Sequence, residues 1–152
     1  MDVTVIRHGT AEDHASSDAD RALTPAGRLE SVRAGERVAG LDPPPDAIVS
    51  SPYLRARQTA QAVAARVGLV GEIELDEALV PDAPPAGVWE LLARLSYRRH
   101  VVLVAHEPIL SSACALLLGK PVSGLSRAEI LSMRNMGGSL GHGGDFALRF
   151  RG

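Results

Sequence analysis

The stretch Val3-Thr4-Val5-Ile6-Arg7-His8-Gly9 decides the reading of this chain. Four β-prone apolar or β-branched residues stop at once in a guanidinium, an imidazole and a glycine. A short run of this kind reads as a buried strand. In open α/β sheets, ligands bind just beyond the carboxyl ends of such strands. An arginine there can hold an oxyanion through two parallel hydrogen bonds. A histidine can serve as a nucleophile, and a glycine lets the backbone approach a ligand closely.

Working outward, strand and helix signals alternate. Residues 3–6 form the first predicted strand, followed by a polar loop over residues 10–23 that carries Ser16-Ser17-Asp18 and Asp20-Arg21. Thr24 then caps a helix with Pro25 at its first position. Leu29, Val32 and Val38 are its expected inward residues, and Gly40 with Pro43-Pro44-Pro45 ends it. Residues 47–49 predict a second strand. Ser51 and Pro52 predict the start of a helix running to about Arg66, stopped by Gly68. Ile73 and Leu75 mark a short strand, and residues 77–86, with three prolines, read as a loop. A helix is expected over 87–97 with Val88, Leu91, Leu92 and Leu95 inward and Trp89 half-buried. Val101-Val102-Leu103-Val104 reads as a strand buried on both faces, as central parallel strands are. A helix over 108–118, closed by Gly119, and two strands over 130–134 and 146–150 complete the pattern. The architecture expected is a three-layer α/β/α sandwich with a mostly parallel central sheet and an antiparallel edge strand. One domain spans residues 1–152.

Three strand-to-helix junctions hold the groups able to do chemistry. The first has Arg7, His8 and Gly9; the second, Ser51-Pro52-Tyr53-Leu54-Arg55, puts Arg55 in a first helical turn; the third has His106 just before a helix. If these strands are parallel neighbours, two arginines and two histidines meet at one edge of the sheet beside two helix N-termini, which attract anions. A compact, multiply negative ligand is implied, and phosphate fits. Taken singly, Arg55 reads as a solvated residue and His106 as a structural histidine.

Bulk properties narrow the classes. The net charge of −2 gives no general pull toward nucleic acid or anionic membrane. The single cysteine, Cys114, lies in an apolar run and reads as a buried apolar residue, which excludes a disulfide framework. No apolar stretch approaches the ~20 residues of a membrane helix, and Met1-Asp2 leads straight into a four-residue strand signal. A soluble, cytoplasmic monomer is expected. No cluster has metal-ligand spacing, so neither a metal nor another cofactor is expected. His14 and His142 read as solvated and His100 as structural. Gly137-Gly138-Ser139 reads as a turn that could bring backbone groups near the site.

Arg7-His8-Gly9, Leu23-Thr24-x-x-Gly27, Ser51-Pro52-x-Leu54-Arg55-Ala56-x-Gln58-Thr59 and His106 resemble the motifs of the histidine phosphatase superfamily, the phosphoglycerate mutase-like group. Asp18-x-x-Arg21-x-Leu23-Thr24 and His106-Glu107-Pro108 further resemble its small bacterial phosphohistidine phosphatases of the SixA kind. The resemblance implies a phosphoglycerate mutase-like fold. It implies that His8 is a nucleophile that becomes phosphorylated, and that Arg7, Arg55 and His106 bind the phosphoryl oxygens, with Gly9 beside them. Leu75-Asp76-Glu77-x-Leu79 resembles the segment that brings a glutamate to the leaving group. Glu77 is therefore the candidate general acid, Asp76 and Asp82 are alternatives, and a solvated loop carboxylate is the plain reading of Glu77. Asp18 and Arg21 either line the pocket or order their loop.

About 50 residues separate Arg55 from His106, which leaves no room for a large lid insertion. An open site suits a phosphate displayed on a protein better than a small phosphometabolite that must be enclosed. The function expected is metal-independent hydrolysis of phosphohistidine on a signalling or carrier protein. A small-molecule phosphomonoester phosphatase, for a nucleotide or sugar phosphate, is the alternative. A phosphate- or phosphoprotein-binding module without turnover is the alternative of another class.

Overall fold

A computed structural model describes residues 1–134, 136 and 145–151. Gly137-Gly138-Ser139 and His142 lie outside the described residues. The elements are β1 (Asp2–Arg7), α1 (Pro25–Ala39), β2 (Ala47–Ser50), α2 (Leu54–Val67), β3 (Glu74–Leu75), α3 (Ala86–Arg94), β4 (His100–Ala105), α4 (Ile109–Leu118), β5 (Ile130–Arg134) and β6 (Asp145–Phe150). Two 3₁₀ turns, Asp18–Asp20 and Glu77–Leu79, sit in the connections.

The strands form one sheet in the order β3-β2-β4-β1-β5-β6. β3, β2, β4 and β1 pair in parallel, whereas β5 runs antiparallel to both β1 and β6, making the antiparallel edge. Alternation along β4 explains the layers. Val101, Leu103 and Ala105 pack with α3 and α4 on one face, and Val102 and Val104 with α1 and α2 on the other. All six residues of β4 are buried, as the uninterrupted apolar run requires. Its first residue, His100, is structural, held between Thr4 Oγ1 at 2.8 Å and Pro43 O at 2.6 Å.

Register sets up the site. Arg7 pairs with Ala105 across β1 and β4, and Ser50 with Val104 across β2 and β4. His8, His106 and Ser51, each one residue past its strand, therefore emerge side by side at the same sheet edge. His8 N–H donates to Ala105 O at 3.0 Å, and Ser51 N–H to Val104 O at 2.9 Å.

The helical pair α1 and α2 departs from the sequence reading in an instructive way. Leu29 is 51% exposed rather than inward. The buried face of α1 is Gly27, Ser31, Ala34, Gly35 and Val38, a stripe of mostly small residues that lets backbones approach. A Cβ on Gly35 would come within 3.1 Å of Ala62 O in α2. Thr24 caps α1 as expected, accepting from Gly27 N–H at 3.0 Å. Helix α2 starts at Leu54 rather than Pro52, because Ser51 Oγ accepts from Tyr53 N–H in a short turn at 3.2 Å. Gly68 (φ 66°) and Gly119 (φ 64°) stop α2 and α4 in the left-handed conformation that favours glycine.

The chain after His8 crosses directly over the start of α1. A Cβ on Gly27 would lie 2.0 Å from Thr10 O, and one on Gly9 2.6 Å from Gly27 O. Both contacts are backbone to backbone, so neither side can yield by a rotamer change. Gly27→Ala is expected to cost about 3 kcal/mol or more, read as a fall in urea midpoint at unchanged slope.

Candidate active site

The carboxyl edge of β2, β4 and β1 opens into a cleft of about 190 Å³. Arg7, His8, Arg55 and His106, predicted from three separate junctions, all line it. Arg21 joins them, and Arg127 stands exposed on its rim. Ala11, Asp13, Glu107 and Pro81 complete the wall.

His8 is 7% exposed. Its Nδ1 lies 2.7 Å from Gly9 O. A carbonyl can only accept, so Nδ1 carries the proton. Burial, reinforced by the positive charges of Arg55, Arg7 and Arg21, outweighs that hydrogen bond and lowers the ring's pKa to about 4. The ring is neutral at pH 7, and its lone pair sits on Nε2, where Arg55 Nε donates at 3.3 Å. The second ring, His106, packs with its centroid 5.0 Å from that of His8. Its Nε2 lies 2.8 Å from Ser51 Oγ. Burial first, then the neighbouring His8 and Arg55, lower His106 to about 3.

Arg55, 3% exposed, is held on its other edge by the loop that follows β1. Nη1 donates to Asp18 O at 2.7 Å and Nη2 to the Asp18 carboxylate at 3.2 Å. Arg21 Nε donates to the same carboxylate at 2.8 Å. Against the upward pull of its slight burial, these guanidinium groups hold the Asp18 carboxyl below its usual range. The two alternatives for this pair thus divide: Arg21 lines the cleft, and Asp18 orders the loop by tying it to Arg55. Gln58 adds a second tie, accepting from Leu23 N–H at 2.8 Å.

Arg7 is oriented from the opposite side. Its Nη1 donates to Leu125 O at 2.7 Å, and its Nε is buried with no protein partner. The chain around Leu125 is itself clamped. Arg149 of β6 donates from Nη1 to Ser123 Oγ and from Nη2 to Gly124 O, both at 2.7 Å. Its Nε pairs with the fully buried Glu129 carboxylate. The edge strand therefore helps to place a guanidinium two strands away.

Three candidates fall differently from expectation. Gly9 is not on the cleft wall; its N–H is taken by Thr59 Oγ1 at 3.2 Å, and its close backbone approach is to α1. Glu77 lies exposed on the 3₁₀ turn and does not line the cleft. The turn buries Leu79 and fixes Asp76 on Ala78 N–H and Arg94, which leaves Glu77 facing solvent. Asp82 is likewise exposed and off the wall. The carboxylate residues at the cleft are Asp13 and Glu107. Glu107, one residue before the N-cap Pro108 of α4, accepts from Ser111 N–H at 3.1 Å and Ser111 Oγ at 2.6 Å. Its position beside His106 was a usable signal; nothing local pointed to Arg127 or Pro81.

The buried imidazoles make stability depend on pH. In the unfolded chain both rings titrate near 6.5; in the fold they do so at about 4 and about 3. Between those values the unfolded state binds more protons. Their contribution is complete above pH 6.5 and is lost as pH falls through the folded values. The melting temperature is expected to fall from pH 6.5 to pH 4, and less steeply in His106→Asn; equal slopes would refute this.

Among the described residues no group of three His, Cys, Asp or Glu is placed to hold a metal ion, and no helix is long and apolar enough to cross a membrane. The cleft brings guanidinium donors and two neutral imidazoles together around one space, an arrangement able to receive an oxyanion.

Comparison with known proteins agrees with that chemistry. The family model described as Histidine phosphatase superfamily (branch 1) matches residues 3–80. The chain is 31% identical over 134 residues to the phosphohistidine phosphatase SixA homolog of Haemophilus influenzae, covering 81% of this chain and 82% of that protein. It superposes on the structure of the protein histidine phosphatase SixA complexed with tungstate with a TM-score of 0.89 and 28% identity, covering 98% of this chain and 96% of that one. It is also 31% identical over 102 residues, 63% of this chain, to the mitochondrial serine/threonine-protein phosphatase Pgam5 of Drosophila ananassae, of whose length it spans only 35%.

Proposed function

The chain belongs to the histidine phosphatase superfamily and is a phosphatase, and from that premise we propose that it hydrolyses phosphohistidine on a protein through a phosphorylated His8. The observation that carries this reading is the tautomer of His8. With Nδ1–H locked on Gly9 O, the nucleophilic lone pair is on Nε2, at the centre of the cleft's cationic groups.

Attack by Nε2 forms a bond to phosphorus while the P–N bond to the substrate imidazole breaks. The leaving imidazole keeps the electron pair of that bond and takes a proton from the solvent reaching the open cleft. Arg55 and Arg7 align the phosphoryl oxygens and offset their charge, which is most of what phosphoryl transfer asks of a protein. Once phosphorylated, the His8 ring is cationic, and Gly9 O stabilises it through the retained Nδ1–H. Water then attacks phosphorus, phosphate leaves, and Nε2 recovers its lone pair.

The exposure of the cleft supports a phosphate displayed on a protein as the substrate. Between Arg55 and His106 the chain is used by α2, β3, a 3₁₀ turn, α3, β4 and short loops, one of which brings Pro81 to the cleft wall, with no lid-sized insertion. The similarity to SixA, a protein histidine phosphatase that binds tungstate, supports the same reading. The test is kcat/KM on a phosphohistidine-bearing protein against phosphoserine peptides, nucleotides and sugar phosphates, in EDTA. Preference for the phosphohistidine protein, undiminished by EDTA, is expected. Preference for a small phosphomonoester would assign the site to metabolite hydrolysis, and binding without turnover would make it a recognition module.

A further inference from the structure

Ser51, fully buried at the end of β2, sets its Oγ 2.8 Å from Nε2 of His106. A hydroxyl has one proton to give and two lone pairs. Ser51 Oγ already accepts from Tyr53 N–H at 3.2 Å. A neutral His106 carries one ring proton, on one nitrogen or the other. If it were on Nε2, Ser51 would accept twice, and its own buried proton would have no acceptor among the hydrogen bonds described. If it is on Nδ1, Ser51 accepts from Tyr53 and donates to Nε2, and every polar group of Ser51 is satisfied. The first assignment strands two buried groups, the Ser51 proton and the Nδ1 lone pair, and the second only the Nδ1 proton; unsatisfied buried groups are costly, so the second prevails. Nδ1 of His106 is then a buried donor with no protein partner, on a residue that lines the cleft.

We propose that Ser51 is a positioning residue whose hydroxyl holds His106 in the Nδ1–H tautomer, so that an uncharged ring presents a hydrogen-bond donor to a phosphoryl oxygen. The inference rests on the reading of the cleft as a phosphoryl site and adds to it. It explains how His106 binds an anion without carrying a charge. A charged imidazolium beside Arg7 and Arg55 would also drive His8 further from protonation, and so weaken the ring's ability to carry the cationic phosphorylated state. A neutral donor avoids that conflict.

The test combines a spectroscopic signature with a double-mutant cycle. Nitrogen-15 NMR of histidine-labelled protein distinguishes protonated from unprotonated ring nitrogens, and His106→Asn assigns the resonances. Wild type is expected to show His106 protonated on Nδ1; protonation on Nε2 would overturn the proposal without any serine variant. In Ser51→Ala the proton is expected to move at least partly to Nε2. Sulfate, a tetrahedral dianion, then reads the consequence for binding. Ser51→Ala is expected to weaken sulfate about tenfold, the worth of one such hydrogen bond. In the His106→Asn background the amide supplies a donor near the Nδ1 position without a tautomer to set, and Ser51→Ala is expected to cost less than about twofold. Equal losses in both backgrounds would place the role of Ser51 in the Tyr53 turn instead and overturn the proposal. Should Ser51→Ala not fold, Ser51→Thr, which keeps the hydroxyl, is expected to keep the Nδ1–H signal, and its loss would count against the proposal. Absence of phosphatase turnover in wild type would refute the parent reading, whereas the NMR result would still decide the role of Ser51.

Discussion

Replacing His8 by alanine is expected to lower turnover by about 10⁴-fold or more, the scale seen when a covalent nucleophile is removed. The reason is local. Among the described residues no other side chain on the cleft wall offers an unprotonated nitrogen lone pair at neutral pH in such a place: the nitrogens of Arg7, Arg21, Arg55 and Arg127 are cationic, and Nε2 of His106 faces Ser51. The accompanying observation is covalent. Wild-type enzyme quenched during turnover is expected to carry acid-labile, base-stable phosphate, and His8→Ala none. Sulfate should still bind the variant, because Arg7 and Arg55 remain. A variant that hydrolyses substrate at the wild-type rate would eliminate the phosphohistidine intermediate.

The second large effect is expected at Arg55. Its guanidinium touches His8 through Nε and the loop residue Asp18 through Nη1 and Nη2, so one planar group connects nucleophile, phosphoryl pocket and loop. Arg55→Ala is expected to lower kcat by about 10²- to 10³-fold, the cost of removing one preorganised donor from a developing charge. Arg55→Lys is expected to recover little, since a point charge cannot reproduce a planar fork. Part of the loss could arise through the loop rather than the chemistry, and Asp18→Asn separates the two. It keeps the guanidinium and weakens the partly exposed ion pairs of Asp18 (57% exposed) with Arg55 and Arg21, so an effect of about fivefold or less is expected. A loss from Asp18→Asn as large as that from Arg55→Ala would assign Arg55 to loop order instead.

Particular residues show how far the sequence could be read. The apolar runs at β1 and β4 announced a parallel centre, because strands covered on both faces have no polar side to show. Once those strands were neighbours, the meeting of Arg7, His8, Arg55 and His106 followed from register. The inner face of α1 was not legible by the same logic. Leu29 is the more apolar residue, yet Gly27, Ser31 and Gly35 are buried, because that interface gains from close backbone approach rather than from side-chain area. Motif position suggested Glu77, which the 3₁₀ turn leaves exposed and off the cleft wall, whereas Glu107, next to His106, lines the cleft.

By itself the sequence determined the α/β sandwich, the three junctions and the identity of the cationic groups, since these depend on local runs and on which residues end them. Only the tertiary structure brings Ser51, 55 residues away in sequence, onto Nε2 of His106, whereas the partner of His8 Nδ1 is the adjacent Gly9 O. It also decided that Asp18 would organise Arg55 and that β6 would brace Arg7 through Arg149. A tautomer or a guanidinium orientation is set by where the last hydrogen-bond acceptor lies, and that position exists only once distant segments have packed.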